Sequence, residues 1–198
     1  MPSTVAGFLI PEAAVIPLYG DALEDVFSAT TQGILGIADG STIRPRWQQE
    51  PPDQPDFQSS WISFGVVSMQ GDWNAYQYMD ATLDGGLGAT TFERDEELTL
   101  LYSFYGPNAT ATQNAHQDGL LIEQNRDLLN ANGIKLVYLA DSVNVPALLK
   151  GTWVKKVDQR AVFRRRIRRQ FAIRYFLSAN VILDNEKYIT NIVVKNPP

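Results

Sequence analysis

Three consecutive carboxylates are the most concentrated group of chemically capable residues in this 198-residue sequence. Asp95, Glu96 and Glu97 are of the type that binds Mg²⁺ or serves as general acid and base. The residues that follow alternate between apolar and polar types, which indicates a strand with Glu96 and Glu97 on opposite faces. Because these two carboxylates then cannot converge, we interpret the triplet as the solvated start of a strand. A hydrolase that uses the triplet is a distant alternative.

The sequence contains one histidine, His116, and no cysteine. These counts exclude disulfides, thiolate metal sites, cysteine nucleophiles and any site that needs more than one imidazole. His116 could act as a general base, but no nucleophile is placed beside it, and we interpret it as an exposed residue of a helix. We therefore expect no catalytic residues, no metal and no cofactor.

Two further features have a chemical and a structural interpretation. Gly85-Gly86-Leu87-Gly88 superficially resembles a phosphate-binding loop, but it lacks the P-loop lysine and leads into no convincing helix, so we predict a mobile contact loop. Tryptophans can stack on nucleic-acid bases, yet beside strands they are more often core or interface anchors. They are Trp47, Trp61, Trp73 and Trp153.

The arginines of residues 164–169 carry the strongest functional signal. They lie in an alternating segment, and an arginine-bearing strand would contact phosphates rather than base edges, which makes sequence-neutral nucleic-acid binding one hypothesis. A charged strand face that protects against aggregation is a second interpretation. Contact with an acidic protein surface is the third, and we favour it. The arginines are Arg164, Arg165, Arg166, Arg168 and Arg169, with Arg174 further along.

Charge is segregated along the chain. Residues 1–154 hold 6 basic and 19 acidic residues, a net charge of −13, whereas residues 155–198 hold 11 and 3, a net charge of +8. Such segregation adds little to a fold but steers complementary surfaces together. The first 154 residues of another copy would supply an acidic partner for the arginines. No apolar run is long enough to span a bilayer, and we expect no membrane contact.

Periodicity predicts two helices and about six strands. Helical spacing covers residues 21–37, where Asp21 and Glu24 resemble a capping box, and residues 109–130. In the second helix we place Ala111, Ala115, Ile122 and Leu129 on the core stripe, with His116 and Leu120 opposite. Alternation predicts strands at 60–69, 73–79 (its hairpin partner), 96–105, 134–140 and 187–195, with an irregular loop at 44–55 and a turn or short helix at 146–149.

Alternation is unusually long between residues 160 and 183. As one straight strand these residues would extend about 80 Å, whereas a globule of this length is only about 40 Å across. The segment must therefore bend, break into a hairpin or project from the body. Together these elements predict an α+β fold: a single domain at 18–195, mainly antiparallel sheet packed against two helices, with an N-terminal arm at 1–17, a glycine-rich loop at 80–92 and a tail at 196–198.

Several blocks, taken in order, resemble the neck (tail) terminator family of tailed bacteriophages. The resemblance covers roughly residues 18–184, departs in the N-terminal arm and the glycine loop, and rests on the order and spacing of the blocks. They are Arg44-Pro45-Arg46-Trp47-Gln48 with Pro51-Pro52, Pro55 and Trp61; Phe104-Tyr105-Gly106-Pro107-Asn108-Ala109; Asp118-Gly119-Leu120 with Gln124-Asn125-Arg126 and Leu129; and Pro146, Trp153, Asp158 and the arginine-rich strand.

The resemblance implies a structural virion protein without catalytic residues. It implies a hexameric ring at the head-proximal end of the tail, which stops tube growth and contacts the tail tube protein and the head-tail connector. Such a protein is assembled in the host cytoplasm. As subunit-interface or DNA-lumen candidates we name Arg164, Arg166, Arg168, Arg169, Arg174, Leu120 and Trp73. A non-specific contact with genomic DNA in the lumen is part of this interpretation. We also expect residues 1–17 and 80–92 to become ordered on assembly.

Overall fold

The computed structural model describes residues 4–5, 8–11, 17–50, 52–80, 82–83, 88–172, 178–185 and 188–195. Its helices are Gly20–Leu35 (α1), Ala109–Leu121 (α2) and Asp127–Ala131 (α3). Its strands are Thr4–Val5 (β1), Phe8–Leu9 (β2), Ile43–Pro45 (β3), Trp61–Gly71 (β4), Tyr76–Asp80 (β5), Ala89–Tyr105 (β6), Ile134–Leu139 (β7), Val143–Asn144 (β8), Ala147–Leu149 (β9), Thr152–Val154 (β10), Lys156–Phe171 (β11), Ser178–Asn185 (β12) and Tyr188–Lys195 (β13). The predicted α+β fold class is confirmed.

The chain forms two compact units, which we describe separately. The large unit consists of residues 17–73 and 94–167. The small unit comprises the described parts of residues 1–16, 74–93 and 168–198. Strands β6 and β11 contribute residues to both units.

The large unit is built on a sheet with the strand order β3-β4-β6-β11-β7, and β8 also pairs with β11. β3 and β4 are parallel, whereas β4 pairs antiparallel with β6, and β7 and β8 pair antiparallel with β11. The predicted alternation of β6 is confirmed, because its even-numbered apolar residues from Leu98 to Phe104 are all buried. They pack with Leu23 and Phe27 of α1 into the core.

Helix α1 matches the predicted span, but its predicted cap is wrong. The residue before the helix is Tyr19, whose side chain makes no capping bond, and Asp21 lies inside the first turn. A carboxylate there still interacts favourably with the positive end of the helix dipole. The helix ends at Gly36, whose φ of +62° is the left-handed conformation that glycine adopts without strain.

The second predicted helix is shorter than expected and buries the other face. It ends at Leu121 and is followed by a 3-10 turn at Gln124–Arg126 and by α3. Ala111, Ala115 and Ile122, predicted in the core, are exposed. His116 and Leu120, predicted on the opposite side, are buried. The core side of α2 is defined by Gln113, His116 and Leu120 at helical spacing, which hydropathy alone does not mark.

Several local predictions are wrong because strands pair with partners other than those the sequence suggests. β5 pairs with Ala89–Glu93 of β6 and not with the strand before it, so residues 89–92 are strand rather than loop. Residues 147–149, predicted as a turn or helix, form a hairpin with β10. In the predicted irregular segment 44–55, Arg44 and Pro45 belong to β3.

Gly106 shows why the break after β6 requires glycine. Its φ is +97°, and a Cβ there would approach the carbonyl oxygen of Ser59 to 2.4 Å. The turn therefore brings two backbone segments closer than any side chain allows. Its N–H donates to the carbonyl of Lys155, which ties the start of α2 to the segment before β11.

The described part of the small unit contains three strand pairs. β1 pairs with β2, β5 pairs with the first residues of β6, and β12 pairs with β13 along eight register positions. Phe92 and Phe171 meet edge to face with ring centroids 5.1 Å apart. Of the long alternating segment at 160–183, β11 is described up to Phe171 and β12 from Ser178, and residues 173–177 lie outside the described residues.

Some predictions lie wholly or largely outside the described residues. These are the order of the N-terminal arm at 1–17, the glycines Gly85 and Gly86 of the loop, Arg174 and the tail at 196–198. The boundaries of the predicted single domain stay a prediction.

Candidate interaction surface: the arginine strand and its carboxylate partners

The exposed arginines of β11 in the large unit face carboxylates of β6. Arg166 donates to Asp95 with Nε and Oδ1 3.0 Å apart, and Arg164 donates to Glu97. From one ion pair to the next, the number of the arginine rises by two and the number of its carboxylate partner falls by two, as expected for neighbouring antiparallel strands. Glu97 raises the pKa of Arg164 through this hydrogen bond. Both arginine side chains stay at least half exposed, so the pairs reduce the local positive charge without removing the side chains from solvent.

The small unit contains a further exposed arginine pair. Arg168 forms an ion pair with Glu93, whose carboxylate also accepts from the hydroxyl of Tyr78 at 3.5 Å. Arg169, next along the strand, is exposed. We predict acidic residues of another copy as partners of the arginines. In the structure Arg164, Arg166 and Arg168 each contact a carboxylate of the same chain.

Arg165 differs from its neighbours because it occupies an inward position of β11. Its Nη2 and Nε donate to Oε2 of Glu96 at 2.7 and 2.9 Å, and both side chains are buried. Its Nη1 donates to the carbonyl oxygen of Leu18, and its guanidinium lies 4.6 Å from the ring centroid of Tyr19. Arg94 donates to the other oxygen of Glu96. Arg165 therefore joins β6, β11 and the residues that lead into α1.

These contacts correct the interpretation of the acidic triplet as a solvated strand start. Glu96 is buried, and it points to the opposite face from Glu97, as predicted. Each of the three carboxylates is used by an arginine. In the described part of the chain, no group of three or more His, Cys, Asp or Glu residues is arranged to hold a metal ion.

His116 is buried and not exposed as predicted. Its ring lies between the aromatic side chains of β6, with centroids 4.6 Å from Tyr102 and 5.5 Å from Phe104. Neither ring nitrogen has a hydrogen-bond partner among the described residues. Burial lowers the pKa of His116 to about 3, so the ring is neutral at physiological pH. A side chain sealed between aromatic rings fits a packing role better than that of a general base.

The neutral burial of His116 predicts acid sensitivity. In the unfolded chain the imidazole binds a proton near pH 6.5, whereas in the folded chain it does so only near pH 3. The unfolded state therefore binds more protons as pH falls, and the free energy of unfolding should drop by about 2 kcal/mol between pH 7 and pH 5. Urea titrations at both pH values measure this drop. His116→Phe should lose most of it, and an equal drop in the two proteins would contradict the assignment.

Three of the four tryptophans are surface residues. Trp73 is 95% exposed, Trp47 75% and Trp153 70%. Trp61 instead stacks on Tyr105 with ring centroids 4.0 Å apart. Trp47, Trp73 and Trp153 are therefore not core residues, and their exposure leaves them available as interface anchors. Leu120, named with Trp73 as an apolar contact, is buried in its own chain and is unavailable to a partner.

Two open grooves lie on the large unit, and sequence reasoning predicted neither. One, of about 360 Å³, is lined by residues that include Trp73, Asp95 and Arg164. The other, of about 450 Å³, lies between residues 54–57 and the β9-β10 hairpin and includes Trp61 and Leu149. The isolated Trp73 beside Asp72 is the only feature of the sequence that points to the first groove. The second depends on pairing between distant segments and had no local signal.

The surface also carries exposed apolar residues that the sequence analysis placed in no site. They include Val137 and Tyr138 of β7, Val143 of β8, and the cross-strand pair Leu148 and Trp153 of the β9-β10 hairpin. No helix in the described part of the chain is long and apolar enough to cross a membrane. Where such residues lie side by side, as Leu148 and Trp153 do, they are candidates for protein association.

Comparison with known proteins agrees with a role in association. The family described as phage neck terminator protein matches residues 21–190, most of the chain. No curated protein matches this chain. The match confirms the resemblance carried by the order of the sequence blocks. The chain belongs to the phage neck terminator protein family and is a structural protein of the bacteriophage neck.

Proposed function

We propose that this protein closes into a hexameric ring at the head-proximal end of the tail, ends the tail tube and joins it to the head connector. The observation that carries the proposal is the exposure of large apolar side chains on the large unit of a chain from this family, above all Trp73 and Trp153. Exposed aromatic residues of this size are typical anchors of protein interfaces.

A ring repeats one heterologous contact, because each subunit offers one surface to one neighbour and a different surface to the other. The charge of the chain suits this geometry. A basic surface on one copy meets an acidic surface on the next, and head-to-head contact is disfavoured. We place part of the Arg164–Arg169 face in that contact and Trp73 among its apolar anchors. Exposed ion pairs contribute only about 0–1 kcal/mol each, so apolar burial must supply most of the affinity.

The internal carboxylate partners modify how the arginines act. A guanidinium has five donors, so an arginine bound to one carboxylate can still bind a second one from a neighbour. Each arginine–carboxylate pair carries little net charge. It therefore contributes little to long-range attraction between copies and acts mainly at short range, where it fixes how two copies align. It also makes phosphate contact with genomic DNA in the lumen the weaker candidate, because that contact depends on unneutralised positive charge.

The proposal places the protein in the virion at the junction of neck and tail, after assembly in the host cytoplasm. Its neighbours there are the tail tube protein on one side and the connector proteins on the other. Large rings of this kind require no catalytic residue, which agrees with the use of the carboxylate triplet in ion pairs.

Complementation of a phage that lacks the protein tests the proposal. Such a phage should produce filled heads and unjoined tails of variable length. Addition of the purified protein should restore joining, and electron microscopy with mass measurement should find a six-copy ring at the tail end. Joined particles and tails of normal length without the protein would contradict the proposal, as would a protein that stays monomeric both free and on tails.

A further inference from the structure

One edge of the sheet in the large unit is guarded against pairing with another chain. The edge strand β3 has only three residues and includes Pro45, which has no backbone N–H to donate. The Arg44 side chain donates to the carbonyl oxygens of Ser41 and Asp53 and so fixes charge at this edge. A short strand with a proline and a charged residue is a poor template for strand addition.

The opposite edge is open. In the described part of the chain, β7 and β8 pair only with β11, so one side of each carries backbone groups that no described strand uses. The register shifts at Val162 and Phe163 opposite β7, and this irregularity leaves two consecutive apolar residues on the surface: Val137 is 44% exposed and Tyr138 55%. The only charged residue of β7 is Lys135 near its start, and residues 136–140 include no charged residue and no proline. Despite Lys135 and the register shift, this longer apolar strand is a better template for pairing than β3.

The chain contains a second element that needs a partner. β12 and β13 form a two-stranded sheet, in which the pairing runs from Ser178 opposite Lys195 to Asn185 opposite Tyr188, and no third strand joins it among the described residues. Of its sixteen strand residues only Asp184 and Lys195 are charged, and no residue is a proline. An isolated two-stranded hairpin is at most marginally stable in water, so it gains stability from a third strand.

We propose that the β12-β13 hairpin of one copy adds to the β7 edge of the next copy and continues its sheet. This inference rests on the proposed ring. The β7 edge and the β12-β13 hairpin of each copy can each be used once around a closed circle of heterologous contacts. Backbone hydrogen bonds between added strands give affinity, and the exposed apolar residues beside them give register. A twofold β7-to-β7 contact would instead end at a dimer and leave both hairpins unpaired.

The absence of cysteine from the natural sequence allows a direct test. Neighbouring strands place Cα atoms about 4.5–5.5 Å apart, which a disulfide spans. Copies with Tyr138→Cys are mixed, under conditions that give the ring, with copies that carry one cysteine in the hairpin, at Asn180, Ile182, Asn191 or Val193. Mild oxidation should link the two kinds of copy in at least one mixture. Copies with Arg44→Cys, on the guarded edge, serve as the matched control and should give at least tenfold less product.

A measurement on the unaltered protein accompanies the cross-linking. Amide hydrogen exchange should slow at β7 and in the hairpin when the ring forms, by at least tenfold, and should not change at β3. This result does not depend on how any variant folds.

The outcomes separate this inference from the proposed function. Three results would overturn the strand addition and leave the ring intact. They are a link between two Tyr138→Cys copies, a link between the hairpin and position 44, and amide exchange in β7 that is as fast in the ring as in the monomer. A protein that forms no ring, alone or on tails, overturns both. A hairpin-to-Tyr138 link together with slowed exchange supports the inference.

Discussion

Replacement of Arg165 by methionine is expected to lower the free energy of unfolding by about 3–5 kcal/mol, because it leaves the buried carboxylate of Glu96 without its main partner. Both side chains are buried, and the guanidinium gives Glu96 two hydrogen bonds. The same change removes the donor to the Leu18 carbonyl and the contact with Tyr19. The start of α1 should therefore loosen together with the sheet.

Urea unfolding of matched variants measures this effect. Arg164→Met removes a neighbouring but exposed arginine and should cost much less than Arg165→Met, because exposed ion pairs contribute little to stability. The pair of changes Arg165→Met and Glu96→Leu should recover much of the loss, since an apolar pair needs no charge partner. Equal losses for Arg164→Met and Arg165→Met would show that burial of the Arg165–Glu96 pair has no energetic consequence.

The inward position of Arg165 illustrates what the sequence could and could not show. Alternation along β11 separated the exposed Arg164 and Arg166 from the buried Phe163 and Ile167, and the structure confirms that separation. The same alternation places Arg165 on the buried face. Its partner lies on β6, and no local pattern shows which distant strands become neighbours. The run of three acidic residues opposite three arginines is evident only once the antiparallel register is known.

His116 shows a different limit. Hydropathy placed the core stripe of α2 through its alanines, because alanine is apolar and histidine and glutamine are polar. The structure buries Gln113 and His116 instead. Nε2 of Gln113 donates to Oε1 of Gln117, which also accepts from Nε2 of Gln159 of β11, whereas the ring nitrogens of His116 have no partner among the described residues. Polar residues that bond to each other or pack against aromatic rings can line a core, and a pattern based on side-chain polarity then predicts the wrong face.

The exposed arginine face gives the prediction with the largest effect on assembly. Reversal of Arg166 and Arg168 to glutamate is expected to raise the concentration needed for ring formation by at least tenfold and to reduce joining of heads to tails. Both residues are exposed, so the cost to the fold should stay at roughly 1 kcal/mol for each pair. Loss of attraction and new repulsion against the acidic surface of the next copy would weaken the contact.

The internal pairs allow a control that distinguishes contact within a chain from contact between chains. Arg166 pairs with Asp95 and Arg168 with Glu93, so adding Asp95→Arg and Glu93→Arg to the double reversal restores opposite charges within each pair. If the arginines serve only the fold, these swaps should restore ring formation. If they contact the neighbour, the swaps should restore stability to urea but not assembly. A lysine introduced into the acidic surface of the next copy should then recover part of the lost ring formation.

Arg160→Glu reverses one charge rather than two, at an exposed position near the start of β11, and serves as the control. Raising the salt concentration should weaken ring formation by the wild-type protein and partly restore it in the double reversal, because salt screens both the attraction and the new repulsion. Sedimentation and light scattering measure both quantities. Normal rings and wild-type joining by the double reversal would show that the arginine face is solvated and that apolar contacts alone set the register of the ring.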